Sequence, residues 1–564
     1  MKQKLTLWAI CCLMVFLLPS CTKNKIKDLL AHVPEDAEVV FVADLSTMLE
    51  SAGGNIENEK IKLPASITDP MPDDMFKLID NANDLIRKGG VDPEACAITM
   101  NYEHGQPVIV FALADPKKFV NYIEDNGFRE KESDKDVTIY SKRVYESPND
   151  PEYDDYGYIA VVDDYAYWVE RVWVKSDFKA MDVLGNMARE VTSKENFART
   201  AFGKYISKGN AAGMSVRINR KIREELSEAG MPDELCRACS GVLCFKSQLK
   251  GNELAIDMKI FDEEGNEKKA EDFKALCDME AKINPKALDF MGKNEMLVTA
   301  VALKDVNWTK FFSNLSGNPY AYDSNREAMA MMQRFLEKSN GTVAFGFGFN
   351  NGLEPLMNAS SEDEALSEMS MTLVIETKQS QAKSMLNGLK DLMNNNLVPF
   401  EDRADGFELQ LPGSHQLIRA KAVDNFVVIA NHAISTEADN KVVKEVPFKD
   451  YSCACALLLD KNNKLLKDLG IDNGIKAVVA SGKSIGEISL TVTVDGKQEG
   501  FIANTASLIL AANAKVQEAQ KKRVVEEVVA DSCAVYDPYD DEGYYVDSAA
   551  VDDYAADTTA DVAY

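Results

Sequence analysis

Histidine is almost missing from this chain: there are four in 564 residues, His32, His104, His415 and His432, none at a metal-ligand spacing from another. That leaves no imidazole pair from which to build a zinc site. Cysteine is thin as well. Beyond residue 21 it occurs at Cys96, Cys236, Cys239, Cys244, Cys277, Cys453, Cys455 and Cys533, too sparse for a disulfide scaffold. Cys236-Arg237-Ala238-Cys239 has C-x-x-C spacing, but the nearest second pair is the distant Cys453-Ala454-Cys455. Buried thiols are therefore expected, with a local disulfide as the alternative. Positive charge is short too: 63 Lys and Arg stand against 91 Asp and Glu, a net charge of −28. This argues against nucleic acid as a partner and against adhesion to anionic lipid through a basic face. No metal and no cofactor is expected. Past the first 20 residues no segment reads as a membrane span. The best candidate, 501–514, is interrupted by Asn504, Thr505 and Asn513, so it reads as an amphipathic or buried helix.

What is present begins at the N-terminus. Lys2 and Lys4 precede an apolar run from Leu5 to Leu18, followed by Pro19, Ser20 and Cys21. The run is shorter than the ~20 residues of a spanning helix and reads as a signal peptide over 1–20. Leu18-Pro19-Ser20-Cys21 is similar to the lipobox of bacterial lipoproteins, which implies a cut before Cys21 and acylation of that cysteine. Several acyl chains on one residue make a firm anchor. The linker 21–33 would keep the fold within ~40 Å of the membrane even if fully extended.

The body is written twice. Val39 to Leu45 followed by Ser46-Thr47-Met48-Leu49 reads as strand into helix, and so does Met296 to Leu303 followed by Trp308 to Phe312. Val108 to Leu113, with a helix opening at Asp115-Pro116, is echoed by Met371 to Ile375 and a helix over Ser380 to Leu392. The acidic turn Asp163-Asp164 leads into an apolar strand, as Asp424-Asn425 does. Gly251 to Ile260 matches Ile485 to Val494, both with the strict alternation of a half-buried strand. Four correspondences in one order predict two tandem α+β units, 34–282 and 283–522, each a mixed or antiparallel sheet with helices on one face. Beyond them, 523–564 is rich in Asp and Tyr, with no basic residue after Arg523, and reads as a disordered acidic tail.

Several motifs tempt. Ala477 to Ser484 fits a loose phosphate-loop pattern, and Gly482-Lys483-Ser484-Ile485-Gly486 fits a nucleophile elbow. Both need a helix immediately downstream. The residues in that place, Glu487 to Val492, alternate as a strand does, so a hairpin turn is expected. The paired acids Asp154-Asp155 and Asp163-Asp164 do not by themselves give two carboxyls facing across a cleft, and no EF-hand loop is present. No catalytic residue is assigned. In the tail, Asp547-Ser548-Ala549 and Asp557-Thr558-Thr559 are similar to the sites at which Bacteroidetes O-glycosylate exported proteins, which makes Ser548 and Thr558 candidates.

With the signal, the lipobox-like tetrad, Val33-Pro34-Glu35-Asp36-Ala37 before the first strand and the doubled body, the chain resembles the Bacteroidetes lipoproteins grouped under the domain of unknown function numbered 4836. The resemblance implies the anchor, the cell envelope and the two-part body, and no activity. Thr22 to Lys27 is basic where surface-displayed lipoproteins of that phylum carry acids, which favours the periplasmic side of the outer membrane. The function expected is a non-enzymatic binding or scaffold protein for an envelope partner. Next in order come a glycan- or peptide-binding lipoprotein using the groove between the repeats, with Trp168, Trp173 and Trp308 as platforms, and an envelope hydrolase.

Overall fold

Alternating apolar residues dominate the chain, and they fold as strands. The structure is a computed structural model that describes residues 25–509, apart from 69–70, 72, 101–105, 146–154, 174–178, 193–195, 229–235, 237–239, 270–280, 307, 309–332, 335, 352–358, 360, 396, 411–415, 438, 460–473, 485, 497–499 and 507. The first stretch carries β1 (Val39–Asp44), β2 (Asn55–Glu57), β3 (Lys60–Lys62), β4 (Val91–Met100), β5 (Pro107–Leu113) and β6 (Arg129–Asp134). It continues with β7 (Val137–Tyr145), β8 (Asp155–Val162), β9 (Tyr165–Trp173), β10 (Ala212–Ile218), β11 (Gly241–Lys250) and β12 (Glu253–Phe261). The second stretch carries β13 (Glu295–Leu303), β14 (Ser339–Phe349), β15 (Met369–Thr377), β16 (Glu401–Arg403) and β17 (Gly406–Gln410). It ends with β18 (Leu417–Val423), β19 (Phe426–Ala430), β20 (Cys453–Leu458), β21 (Gly474–Ser484) and β22 (Glu487–Asp495).

Apart from the small β2–β3 hairpin, these strands form one 20-stranded sheet, and each of its pairings is antiparallel. From one edge to the middle the order is β6-β7-β8-β9-β5-β4-β1-β10-β11-β12. From the other edge it is β16-β17-β18-β19-β15-β14-β13-β20-β21-β22, the same pattern of connections. The runs meet where β12 pairs with β22. Each of these strands has nine residues, and the fourth of one, Ile256, lies opposite the fourth of the other, Leu490. Glu253 lies opposite Thr493, and Lys259 opposite Glu487. The register is thus nearly its own image under a half-turn at Ile256–Leu490, as in an isologous contact. The described residues, 25–509, belong to one compact unit. The predicted tail, 523–564, lies outside the described residues.

Helices cover both faces, which corrects the expectation of helices on one face. In β5, Val108 and Val110 point into a core with Ile26, Leu29 and Leu30 of the helix Lys25–Leu30. The alternating Ile109, Phe111 and Leu113 point the other way, against Phe119 and Ile123 of the helix Pro116–Asp125. In β19, Val428 packs with Ala287 and Leu288 of the helix Pro285–Leu288, while Val427 packs with Met385 and Leu386 of the helix Ala382–Asn395. The physical reason is two-sided burial, which turns a strand into a continuous apolar run. The outermost strands differ. Every residue of β6 (Arg-Glu-Lys-Glu-Ser-Asp) and of β16 (Glu-Asp-Arg) is exposed, so both edges of the sheet are charged and discourage strand addition.

Local signals explain the joints. The Asp44 and Asp115 side chains accept from the backbone N–H of Thr47 and Lys118, which caps the helices after β1 and β5. Asp163 and Asp424 take φ of 47° and 52°, so the β8–β9 and β18–β19 turns share a left-handed residue type that tolerates it. Gly482 to Ser484 ends β21, and β22 begins at Glu487, so the two tempting motifs sit on a hairpin. Residues 501–506 are helical, and Ile502 N–H donates to Ser51 Oγ at 3.1 Å. Phe501 joins Ala211, Leu249 and Val494 in a core beside the β12–β22 ladder. The helix expected at Trp308 to Phe312 falls almost entirely outside the described residues.

Candidate functional site

The most concentrated polar chemistry in the fold gathers at the start of β13. Glu295 opens that strand and is 2% exposed. It fits because its neighbour on β14 has no side chain: a Cβ on Gly346 would lie 2.0 Å from Glu295 Oε2. Gly292 N–H donates to Oε2 at 2.8 Å. On β15, the Thr372 hydroxyl donates to Oε1 at 2.5 Å, and Thr372 is 1% exposed. His432, just beyond β19, brings Nε2 to 2.7 Å from Thr372 Oγ1 and 3.2 Å from Glu295 Oε1. Its Nδ1 donates to Ala433 O at 3.0 Å.

The segment that carries His432 runs from Asn431 to Asn440 and is tied at both ends. Asn431 Oδ1 accepts from Met371 N–H at 2.9 Å, and its Nδ2 donates to Met369 O at 2.8 Å. Asn440, fully buried, donates to Gly292 O at 2.6 Å and Glu295 O at 2.9 Å, and its Oδ1 caps the helix Lys441–Glu445. Between these ties, Ile434 packs on the core of Phe290, Met291 and Val298. The hydrogen bond to Glu295 holds the His432 pKa above its ordinary value of 6.5, against a lowering from burial.

A hydroxyl, an imidazole and a carboxylate in contact invite comparison with a nucleophilic triad. In that arrangement the acid holds Nδ1 and the hydroxyl faces Nε2. Here hydroxyl and acid both crowd Nε2, a backbone carbonyl takes Nδ1, and the hydroxyl is sealed from solvent. The cluster therefore ties β13 and β15 to the segment after β19, in a geometry unlike that of the triad. Sequence reasoning passed over it, since its members lie 77 and 60 residues apart. A usable signal was the alternation Gly346-Phe347-Gly348, because glycine inside a strand marks a close approach.

A second polar feature is a shallow cleft of about 430 Å³ faced by Glu50, Asp92 and Glu94 with Asn55 and Ile56. Glu94 is ion-paired with Lys25, whose pKa it raises. Among the described residues no group of acids, histidines and cysteines is placed to hold a metal. The site residues expected from the sequence, Cys21, Ser548 and Thr558, lie outside the described residues. Cys236 and Cys244 are buried, Cys244 as a free thiol that burial pushes up to about 12. Cys453 and Cys455 are free on one face of β20, with Cys455 Sγ accepting from Thr299 Oγ1 at 3.2 Å, while Cys239 lies outside the described residues. Trp168 packs in a core with Ile109 and Phe111 rather than standing as a platform, and the Trp173 side chain lies outside the described residues.

Comparison with known proteins adds little. No family model and no curated protein matches the chain. Among solved structures, crystal form IV of TP0453 is similar at 9% identity over 42% of this chain and 83% of that one, with a TM-score of 0.22. Crystal form I of the same protein matches at 9% identity over 73% and 94%, with a TM-score of 0.18. Both scores lie below the level of a shared fold. No helix among the described residues is long and apolar enough to cross a membrane.

Proposed function

We propose that this chain is a lipid-anchored protein of the bacterial cell envelope, related to the Bacteroidetes lipoproteins it resembles, and that its body is a non-enzymatic scaffold for an envelope partner. The observation that carries the reading is Leu18-Pro19-Ser20-Cys21 at the end of the apolar leader. The body would be two tandem copies of one unit, 34–282 and 283–522. The matching strand connections and the Ile256–Leu490 pair at the meeting point support this. A continuous ladder between the copies favours a rigid scaffold over a ligand groove at that junction. Charged outer strands favour a partner that reads side chains rather than one that adds a strand. The sealed hydroxyl of Thr372 argues against a hydrolase at the one triad-like cluster described.

The test is metabolic labelling with an alkyne fatty acid, followed by protease treatment of intact and permeabilised cells. Labelling is expected in the wild type and lost in Cys21→Ser, with the body protected until the outer membrane is opened. Label that persists in Cys21→Ser overturns the anchor, and cleavage in intact cells overturns the periplasmic placement.

A further inference from the structure

The hydrogen count of the Glu295–Thr372–His432 cluster has a consequence for the segment 431–440. Two hydrogen bonds join Nε2, Oγ1 and Oε1 in a row, and each needs one hydrogen. Thr372 supplies one. Ala433 O can only accept, so His432 Nδ1 already carries its own. The second hydrogen of the row therefore sits on Nε2, giving an imidazolium beside Glu295. That is the one dissociable proton of the row, on His432. Without it, the sealed Glu295 carboxylate and the imidazole lone pair compete for a single hydroxyl hydrogen.

We propose that this proton latches the middle of the strap, from His432 to Glu437, onto the start of β13, and that raising the pH loosens it between the Asn431 and Asn440 ties. The latch is placed to do so. His432 links the strap to the Glu295 carboxylate and the Thr372 hydroxyl, while Asn440 holds the Gly292 and Glu295 carbonyls, and the His432 side chain is 26% exposed, so its proton can exchange with solvent. The charged groups that bear on His432 are Glu295 from β13 and Arg419 from β18, the latter bonded to Glu408 at 3.1 Å. Thr372 and Gly292 face it as neutral groups. Because the folded pKa is raised, the contribution is complete below about 6.5 and is lost as the pH climbs through the folded value. Release would lift Ile434 from the Phe290 and Met291 core and uncover an apolar strip at one end of the sheet.

Two measurements on the full chain test this. With four histidines, isotope-labelled histidine gives four NMR titrations, and His432→Gln identifies the one that matters. The expected curve lies above 6.5 and moves down in Glu295→Gln. Hydrogen exchange, corrected for intrinsic rate, then tracks 431–440 from about pH 6 to 9. The strap's opening constant should rise about tenfold for each unit by which the folded His432 pKa exceeds that of the open strap. In His432→Gln that pH dependence should vanish while β1 to β12 exchange as before. A His432 titration at or below 6.5 overturns the proposal. So does strap protection that is flat with pH, or a pH dependence that survives His432→Gln.

Discussion

The stretches β1–β12 and β13–β22 share a strand order but fill the same places differently. In the first, Val40, Thr99 and Val108 lie side by side across three strands. In the second, the matching row is Val298, Gly346 and Thr372. Val40 and Val298 are both fully buried, and the rows diverge from there. Where the first has apolar Val108, the second has Thr372 bonded to Glu295 and His432, with Gly346 making room. The row Val40, Thr99 and Val108 contains no ionisable side chain. The second half holds its corner with a proton. A common framework thus constrains backbone pairing strongly and side-chain chemistry weakly.

The comparison can be broken first at the seam. Leu490→Pro places proline in a central strand opposite Ile256, removes a ladder hydrogen bond and should give the largest loss of stability of the set. Calorimetry should then resolve two transitions in place of one. A single transition at the original temperature would mean the ladder does not couple the halves. Next come Leu30→Ala and Leu288→Ala, two buried leucines of the helices preceding β1 and β13. Each should cost about 2–5 kcal/mol in denaturant unfolding. A gap between them beyond ~2 kcal/mol, close to the whole spread found at fixed chemistry, would end their equivalence. The smallest effect is expected from exchanging the divergent pair. Thr372→Val should lose ~1–3 kcal/mol through its unpaired neighbours, and Val108→Thr a similar ~1–3 kcal/mol by burying a hydroxyl. If Thr372→Val proves neutral, the polar corner does not hold the second half.

Much of the local structure was legible. Strict alternation located β12 and β22, Asp115-Pro116 marked a helix start, and the acidic turns fell at residues with positive φ. The hairpin at Gly482 could be read from the strand after it. Three things were misread or missed for physical reasons. Val108 to Leu113 is an unbroken apolar run, the mark of a strand buried on both faces, yet helices were expected on one. The pairing of β12 with β22 joins residues more than 200 positions apart, and no local pattern encodes it. The Glu295 cluster was hidden likewise, because isolated Glu, Thr and His gain meaning only when the sheet brings them together.

The seam also governs the order in which the molecule can be completed. As the chain emerges from the ribosome, β12 is made long before β22. For that interval its hydrogen-bonding groups and the apolar Leu254, Ile256 and Met258 lack their native partners on β22. Only when residues near 490 arrive can the ladder close, and residue 502 must still reach back to Ser51. Contacts of such sequence separation form slowly. The nascent chain therefore presents one unsatisfied strand edge for much of its synthesis, a natural handle for a holding chaperone and the place where premature pairing between two chains would begin.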